Sequence, residues 1–503
     1  MRGLAVAMVE ARDFASETSS RSSKLIHGGF RYLPQLQFRL VRSALREREL
    51  LRRHTAPHLV RPIRFLFPIY RGRGFSPFTM AAGLLLYDFF ARIPRSERHR
   101  SISAEQMVGL EPMLSREGLA GGALYYDAWA DDARITLENV LDAALHGAAV
   151  ANYASMEEFC AARDGSPGAA LVRDRLAGRT FEVRARIFVN AAGPWVDDVR
   201  RMEDKDAASS VRLTKGVHLV FPLERLPVRE SLVLGDDGGR IVFIMPHGQY
   251  VLVGTTDTDF EGDRAAVSAE SADVQYLLNV VGEDLPGAKL RAEDIASSFA
   301  GLRALVVADS GRAPSSVSRE EVVLESGSGM LTVAGGKLTT HREIAEKVVN
   351  RAMAKLGRAR AKCPTAVTPL PGARPVAKPC ADAESVLLGL APQTREILDS
   401  RYGSRALFVA GIIAERPDMA GALAPGCPAI GAEVVYAVRR EMAHSLADFM
   451  VRRTSLVWRA PAEAEAAAPR AAAIMARELG WDDARERSEV EAFVIDMSRR
   501  RRP

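Results

Sequence analysis

The run Thr18–Leu33, TSSRSSKLIHGGFRYL, gathers five aliphatic hydroxyls, three cations, one histidine and two adjacent glycines within sixteen residues. Ser and Gly favour local turns over helical or sheet ladders, so the run reads as a loop. Its hydroxyls, backbone N–H groups and positive charges are what a phosphorylated ligand lying alongside would need. A flexible linker would account for the serines, but not for Lys24, His27 and Arg31 set among apolar anchors. Proton removal near neutral pH calls for a histidine: His27, followed by Gly28-Gly29, is the first candidate and His218 the second. Ala191-Ala192-Gly193 and Gly335-Gly336 offer backbone N–H groups without bulk, which lets a ligand approach closely.

These groups need elements to hold them. Gly3–Glu10 is a short apolar run ending in an acid, the form of the second strand of a dinucleotide fold, whose terminal acid holds ribose hydroxyls. Phe38–His54 predicts an amphipathic helix, Arg61–Tyr70 a strand, and Ser103–Leu114 a short helix closed at Glu111-Pro112. Gly122–Arg134 turns from strand to helix with Asp131 or Asp132 as the cap. Ala148–Tyr153 reads as a strand, and Phe181–Asn190 as a strand entering a parallel sheet. Alternation at Val217–Phe221, Ser231–Leu234, Arg240–Met245 and Tyr250–Gly254 predicts an inserted antiparallel sheet. Ile295–Leu305 and Gly329–Ala334 are expected to return to the first domain, closed by a helix over Lys337–Leu356. Prolines at 364, 369, 371, 375 and 379 then punctuate a linker, beyond which the chain is Ala-rich and helical.

At 503 residues the chain implies two or three domains. A net charge of +5 permits attraction to an anionic substrate or membrane surface, but gives no reason to expect nucleic acid. Only nine cations are Lys, and Lys24, Lys215 and Lys337 fall inside the runs of interest. Cys160, Cys363, Cys380 and Cys427 have no metal-like spacing and no dense disulfide pattern, so no metal site is expected and a reducing cytoplasm is the default. Phe75–Ile93 approaches a membrane-spanning length of about 20 residues, but Pro77 and Asp88 interrupt it. Arg71, Arg73, Arg92 and Arg95 flank it, which suits a helix lying on anionic lipid; a helix packed inside the protein is the alternative.

The stretch Val9–Leu33 resembles the start of the FAD-dependent, quinone-linked aerobic glycerol-3-phosphate dehydrogenases. Later landmarks follow in that family's order: Tyr126-Asp-Ala-Trp-Ala-Asp-Asp-Ala-Arg134, Asn190-Ala-Ala-Gly-Pro-Trp195, Lys215-Gly-Val-His218, Gly254-Thr-Thr-Asp257, Gly301-Leu-Arg303 and Gly335-Gly-Lys-Leu-Thr-Thr340. The resemblance implies an α/β fold: a Rossmann-like FAD-binding domain over 1–60, 120–205 and 295–358, and a substrate domain over 61–119 and 206–294. A linker at 359–380 and a C-terminal helical domain at 381–503 complete it. By resemblance FAD lies along Glu10, Ala11, Thr18, Ser19, Ser20, Ser23, Lys24, Leu25, Ala192, Gly193, Trp195, Gly301, Gly336, Lys337, Leu338 and Thr339. The implied substrate is sn-glycerol 3-phosphate, whose dianion calls for arginine forks. Arg31, Arg303 and Arg319 match positions lining the family's substrate pocket, with Tyr32 and Thr339 adjacent. Lys337 would stabilise negative charge on the flavin, and His27 or His218, with Arg303, would serve the oxidation. Electrons would pass to quinone at the inner face of the cytoplasmic membrane, from a peripheral cytoplasmic protein for which a homodimer is compatible. An oxidase of the same fold using O₂ is the nearest rival. The glycine loop of a dinucleotide fold precedes its ribose-binding acid by roughly 20 residues, and would here fall before Met1. A start codon assigned too late is the favoured account, over a truncated and catalytically inactive protein.

Overall fold

The computed structural model describes residues 1–29, 37–73, 77–91, 97–161, 167–235, 240–307, 321–359 and 361–503. In chain order its strands are Ala7–Val9 (β1), Leu25–Ile26 (β2), Val60–Tyr70 (β3), Arg100–Ile102 (β4), Leu119–Ala130 (β5), Ala149–Ala151 (β6), Ala154–Ala161 (β7), Pro167–Asp174 (β8), Thr180–Arg184 (β9) and Val189–Asn190 (β10). They continue as Val211–Pro222 (β11), Ser231–Gly235 (β12), Ile241–His247 (β13), Tyr250–Gly254 (β14), Thr258–Asp259 (β15), Ser297–Val306 (β16), Val322–Glu325 (β17) and Leu331–Ala334 (β18). The helices that matter below are Phe38–Leu50 (α1), Pro77–Ala91 (α2), Ala104–Leu110 (α3), Asp132–Leu145 (α4), Val196–Glu203 (α5), Ser271–Asp284 (α6) and His341–Lys355 (α7), followed by the C-terminal helices from Ala383 to Arg501.

Local chemistry sets the boundaries. Ser103 Oγ accepts from Gln106 N–H while the Gln106 side chain accepts from Ser103 N–H, a capping box that starts α3. Asp131, not Asp132, caps α4, accepting from Arg134 N–H at 3.1 Å. Alternation along β3 sends Phe65, Phe67 and Ile69 into one apolar cluster and Leu66 and Tyr70 into another, on opposite faces of the sheet.

That sheet has ten strands in the order β15-β11-β14-β13-β12-β3-β5-β2, with β16 beside β11 and β4 beside β5. The antiparallel sheet expected over the middle of the chain is present and larger than expected. Ile295–Leu305 does not return to the cofactor side: β16 pairs antiparallel with β11 over ten residues, from Val211↔Val306 to Val220↔Ser297. The run read as one strand, Phe181–Asn190, is two. Its alternating half pairs with β8 in a β7–β8–β9 meander, and only Val189–Asn190 joins β18 in parallel. On the nucleotide side β1 pairs with β6 in parallel as well.

Val274, Leu277 and Val281 of α6 cover one face of the large sheet. The other face is covered by α1, α2 and the C-terminal helices, with Leu45, Tyr87, Tyr402, Phe449 and Trp458 in one continuous cluster. The helical region expected as a separate domain therefore shares a core with the sheet. Buried ions reinforce the joint: Arg134 pairs with Glu441 at 2.7 Å, and Arg405 with Glu138 at 3.1 Å. The proline-punctuated linker is pinned too, Leu370 N–H donating to Thr55 O and Gly372 N–H to Glu138. Arg73, read as flanking a lipid-facing helix, instead pairs with Glu283 and Asp284 of α6. No helix among the described residues is long and apolar enough to cross a membrane. Arg92 and Arg95 lie outside the described residues.

Candidate functional site

The Ser-rich run opens as a 3₁₀ turn, Thr18–Ser20, and closes as β2. Between them it lies along β16: Thr18 Oγ1 donates to Leu302 O at 2.7 Å and Arg21 Nη1 to Ala300 O at 3.3 Å. This close approach requires Gly301, since a Cβ there would sit 2.8 Å from Arg21 atoms. Ser20 is buried, and Leu25 points into the core.

Lys24, expected as a cation for the ligand, is 2% exposed, and its ammonium donates to Asp132 Oδ1 at 2.6 Å and to Ser20 O. Inside the protein a lone cation is costly, so the pair holds the loop while its charge is neutralised locally. Burial raises the Asp132 carboxyl above its ordinary value, against the opposing pull of Lys24.

Ser23 Oγ meets His218 Nε2 at 2.9 Å. The imidazole is fully buried, stacks on Phe299 at 4.9 Å and 15°, and lies against Gly254, where a Cβ would come within 2.3 Å of the ring. Burial, then the charges of Arg303 and Lys24, push its pKa well below 6.5, so it is neutral at physiological pH. Its Nδ1 has no hydrogen-bond partner among the described residues.

Arg303 crosses from β16 over Gly216 of β11. Its Nη2 donates to Thr255 Oγ1 at 3.0 Å, and its Nη1 to Thr256 O and to Asp257 Oδ1, both at 3.2 Å. Gly216 and His218, two apart on one strand, share a face, so the arginine fork and the neutral imidazole stand side by side. The hydroxyl and carboxylate that orient Arg303 were missed as functional residues, although Gly254-Thr-Thr-Asp257 had been singled out as a run.

His27 is half-buried, and its backbone carbonyl accepts from Thr339 Oγ1 at 3.5 Å, which joins the Ser-rich run to the Lys337–Thr340 turn. Gly335 and Gly336, at φ +75° and +91°, lead into that turn. Gly28 N–H donates to Tyr87 OH at 3.0 Å and Asp127 Oδ1 at 3.3 Å, and Arg48 donates to the same carboxylate at 2.9 Å. A Cβ on Gly28 would reach within 2.3 Å of Leu45. Arg48 and Tyr87 carried no sequence signal, because Arg48 looks like an ordinary member of an amphipathic helix and Tyr87 like one of an apolar helix. Arg31, Tyr32 and Arg319 lie outside the described residues.

At the nucleotide end, Glu10 follows β1 and accepts from Arg12 N–H at 3.1 Å, with Ala11 between. Gly193 follows β10 at φ +55°, beside Ala192, and an added Cβ there would meet nothing within 4 Å. The two strand ends meet where Arg12 and Arg264 both lie over the Trp195 ring, at 5.4 and 5.5 Å. These residues fit FAD: an acid for ribose hydroxyls at a strand end, backbone free of bulk beside open space, a hydroxyl-rich loop, and an unmatched buried imidazole nitrogen at the far end. Ser19, Leu338 and Lys337 lie on the same loop and turn. Among the described residues there is no His/Cys/Asp/Glu group able to hold a metal ion.

Comparison with known proteins agrees. Residues 1–342 match the FAD dependent oxidoreductase family, and residues 363–486 match the C-terminal domain of alpha-glycerophosphate oxidase. The aerobic glycerol-3-phosphate dehydrogenase of Staphylococcus haemolyticus is 34% identical over 471 residues, covering 91% of this chain and 83% of that one. That of Bacillus subtilis is 35% identical over 465 residues, covering 90% and 83%. The structure of the glycerol-3-phosphate dehydrogenase from Bacillus halodurans complexed with FAD superposes with a TM-score of 0.80 at 28% identity, over 99% of this chain and 91% of that one. L-alpha-glycerophosphate oxidase from Mycoplasma pneumoniae shares the fold, at a TM-score of 0.52 and 18% identity. The chain belongs to the FAD-dependent oxidoreductases, in the family of the aerobic glycerol-3-phosphate dehydrogenases.

Proposed function

We propose that the chain oxidises sn-glycerol 3-phosphate to dihydroxyacetone phosphate and delivers the electrons to a membrane quinone. The observation that carries this reading is the pairing of Arg303 with His218 across Gly216. A planar guanidinium held by Thr255, Thr256 and Asp257 suits a phosphate dianion, because its orientation is set before the ligand arrives. Arg31 and Arg319 are the further arginines assigned to that phosphate. The C2 hydroxyl must lose a proton, and a neutral imidazole can accept it, as either His218 or His27 would. Ser23 fixes the orientation of His218, and Phe299 and Gly254 leave its ring no other position. When bound, FAD supplies the two-electron acceptor for the C2 hydride. Lys337, at the start of the Leu338–Thr340 turn, is placed to stabilise negative charge there.

The quinone and membrane assignments rest on the surface. Leu85 and Phe89, one turn apart on α2, are 62% and 77% exposed. The adjoining α1 exposes Arg39, Arg42 and Arg46. Apolar side chains beside a row of cations suit peripheral attachment to an anionic, cytoplasm-facing leaflet. An oxidase is the second reading, favoured by the match of residues 363–486 to a glycerophosphate oxidase domain.

Anaerobic addition of glycerol 3-phosphate to the flavin-loaded protein tests the first half-reaction. Bleaching of the visible flavin bands is expected, and bands that persist would overturn the substrate assignment. Readmitting air then separates the acceptors: peroxide equal to substrate consumed would favour the oxidase, and slow reoxidation relieved by a soluble quinone the dehydrogenase.

A further inference from the structure

Ligands of parallel α/β sheets bind beyond the carboxyl ends of the strands. In this chain the carboxyl ends of both β1 and β6 are held from the C-terminal helical region. Asp13, three residues beyond Glu10, is 1% exposed. Its carboxylate receives Arg453 Nη1 at 2.6 Å and Arg453 Nη2 at 2.8 Å, a two-pronged fork, together with Arg452 Nε. Asn152, just past β6, donates through Nδ2 to Asp13 Oδ1 at 3.0 Å and to Met442 O at 2.9 Å. Tyr153, at φ +53°, donates its hydroxyl to Asp448 at 2.7 Å, and its N–H to Arg12 O. The arginines are braced in turn: Arg452 donates to Asp448 at 2.5 Å and Arg453 Nη2 to Glu441 O at 2.7 Å. Arg453, Asp13 and Asp448 are buried and Arg452 is only 11% exposed, so each bond acts in a low-dielectric setting with little freedom to move.

We infer that Arg452 and Arg453 are positioning residues for the cofactor: the C-terminal helical region holds the Glu10–Glu17 loop in the shape that receives the adenosine end of FAD. Without the fork, Glu10 and Arg12 keep their backbone bonds to Ala151, Ala154 and Tyr153, but the stretch from Asp13 to Glu17 loses its lateral anchor, because its backbone bonds are local turns such as Ser16 N–H to Asp13 O. Ordering the loop would then be charged against cofactor binding, which weakens affinity without touching any cofactor contact. The same region also reaches the strand that carries Arg303, since Ser298 Oγ donates to Arg500 O at 2.7 Å.

The test is FAD affinity of the apoprotein, read by flavin fluorescence, with thermal unfolding recorded with and without FAD. Arg453→Lys keeps the charge but loses the fork. Arg453→Gln with Asp13→Asn removes both buried charges together, which avoids stranding one and keeps the fold accessible. Arg416→Ala breaks a pair internal to the C-terminal helices, with Glu478 at 2.7 Å, and serves as the stability control. The double variant is expected to raise the FAD Kd at least about tenfold, equal to roughly 1.4 kcal/mol, and to shrink the FAD-induced rise in Tm. Arg453→Lys should fall between it and wild type, and Arg416→Ala should leave Kd unchanged. Equal Kd values in all variants, with only Tm lowered, would overturn the inference and leave a purely structural role. A wild-type chain that takes up no FAD would overturn the inference together with the cofactor assignment.

Discussion

Replacing Gly216 by Ala is the sharpest probe of the site. A Cβ at this position would lie 2.4, 2.6 and 2.7 Å from three atoms of the Arg303 guanidinium. Ordinary carbon contacts are about 3.5–4.0 Å, so the guanidinium must retreat by roughly 1 Å. Gly216 lies in mid-strand without a positive φ, so alanine strains no backbone. The obstructed group is the far end of a flexible side chain, so stability should change by less than about 1 kcal/mol. The retreat breaks or lengthens the bonds to Thr255, Thr256 and Asp257, at 3.0–3.2 Å, that set the orientation of the fork. A misplacement of this size costs on the order of 10²-fold in rate, about 2.7 kcal/mol. The assay is the anaerobic rate of flavin bleaching against glycerol 3-phosphate concentration. The KM is expected to rise at least about tenfold, equal to roughly 1.4 kcal/mol, with kcat/KM down about 100-fold and flavin content unchanged. Wild-type kinetics in a folded, flavin-loaded G216A protein would refute the assignment of Arg303 to the substrate.

His218→Asn and His27→Ala together identify the base: the variant that removes it should lower turnover about 10²–10⁴-fold at unchanged flavin content, and two variants of wild-type turnover would remove both candidates. Lys24→Met strands Asp132, which is fully buried, and should cost about 3–5 kcal/mol in chemical denaturation. Adding Asp132→Asn should recover most of that loss, and a K24M protein as stable as wild type would contradict a load on the pair. His247, half-buried beside Arg459, is lowered to a pKa of about 3 by desolvation and by that guanidinium, which donates to its Nε2 at 2.8 Å. The unfolded chain takes up this proton near pH 6.5 and the folded chain does not, so the stabilisation is complete above pH 6.5 and is lost as pH falls toward 3. At pH 5 the loss from this residue is about 2 kcal/mol. Thermal unfolding of His247→Gln should therefore show a smaller drop between pH 7 and pH 5 than wild type, and an equal drop would refute the linkage.

Much of the fold was legible because its signals are local. The period-two alternation of β3 and β11–β14, the acidic cap at Asp131 and the apolar run ending at Glu10 each lie within a dozen residues. The run Thr18–Leu33 was legible as irregular backbone because Ser and Gly favour turns, and its described part holds only the Thr18–Ser20 turn and the two-residue β2. What misled was partner choice. β16 reads equally well as a strand of either sheet, and ten residues of pairing with β11 decided it. Phe181–Asn190 looks continuous, but two different partners divide it. Lys24 looked like a ligand's cation because the carboxylate that pairs with it, Asp132, lies 108 positions away.

The sequence by itself determined the chemistry on offer: histidines, arginines and bulk-free turns in a fixed order, each carried by residue type. The tertiary structure decided which of these groups work together. Sheet pairing set Gly216 against Gly301 and Thr214 against Arg303, so the arginine side chain crosses the strand beside His218. Burial, joined to the charges of Arg303 and Lys24, then made that histidine neutral. The C-terminal helices brought Arg452 and Arg453 to Asp13, some 440 residues earlier. Charge pairing and desolvation act through space and decay over a few ångströms, so no reading along the chain reaches them.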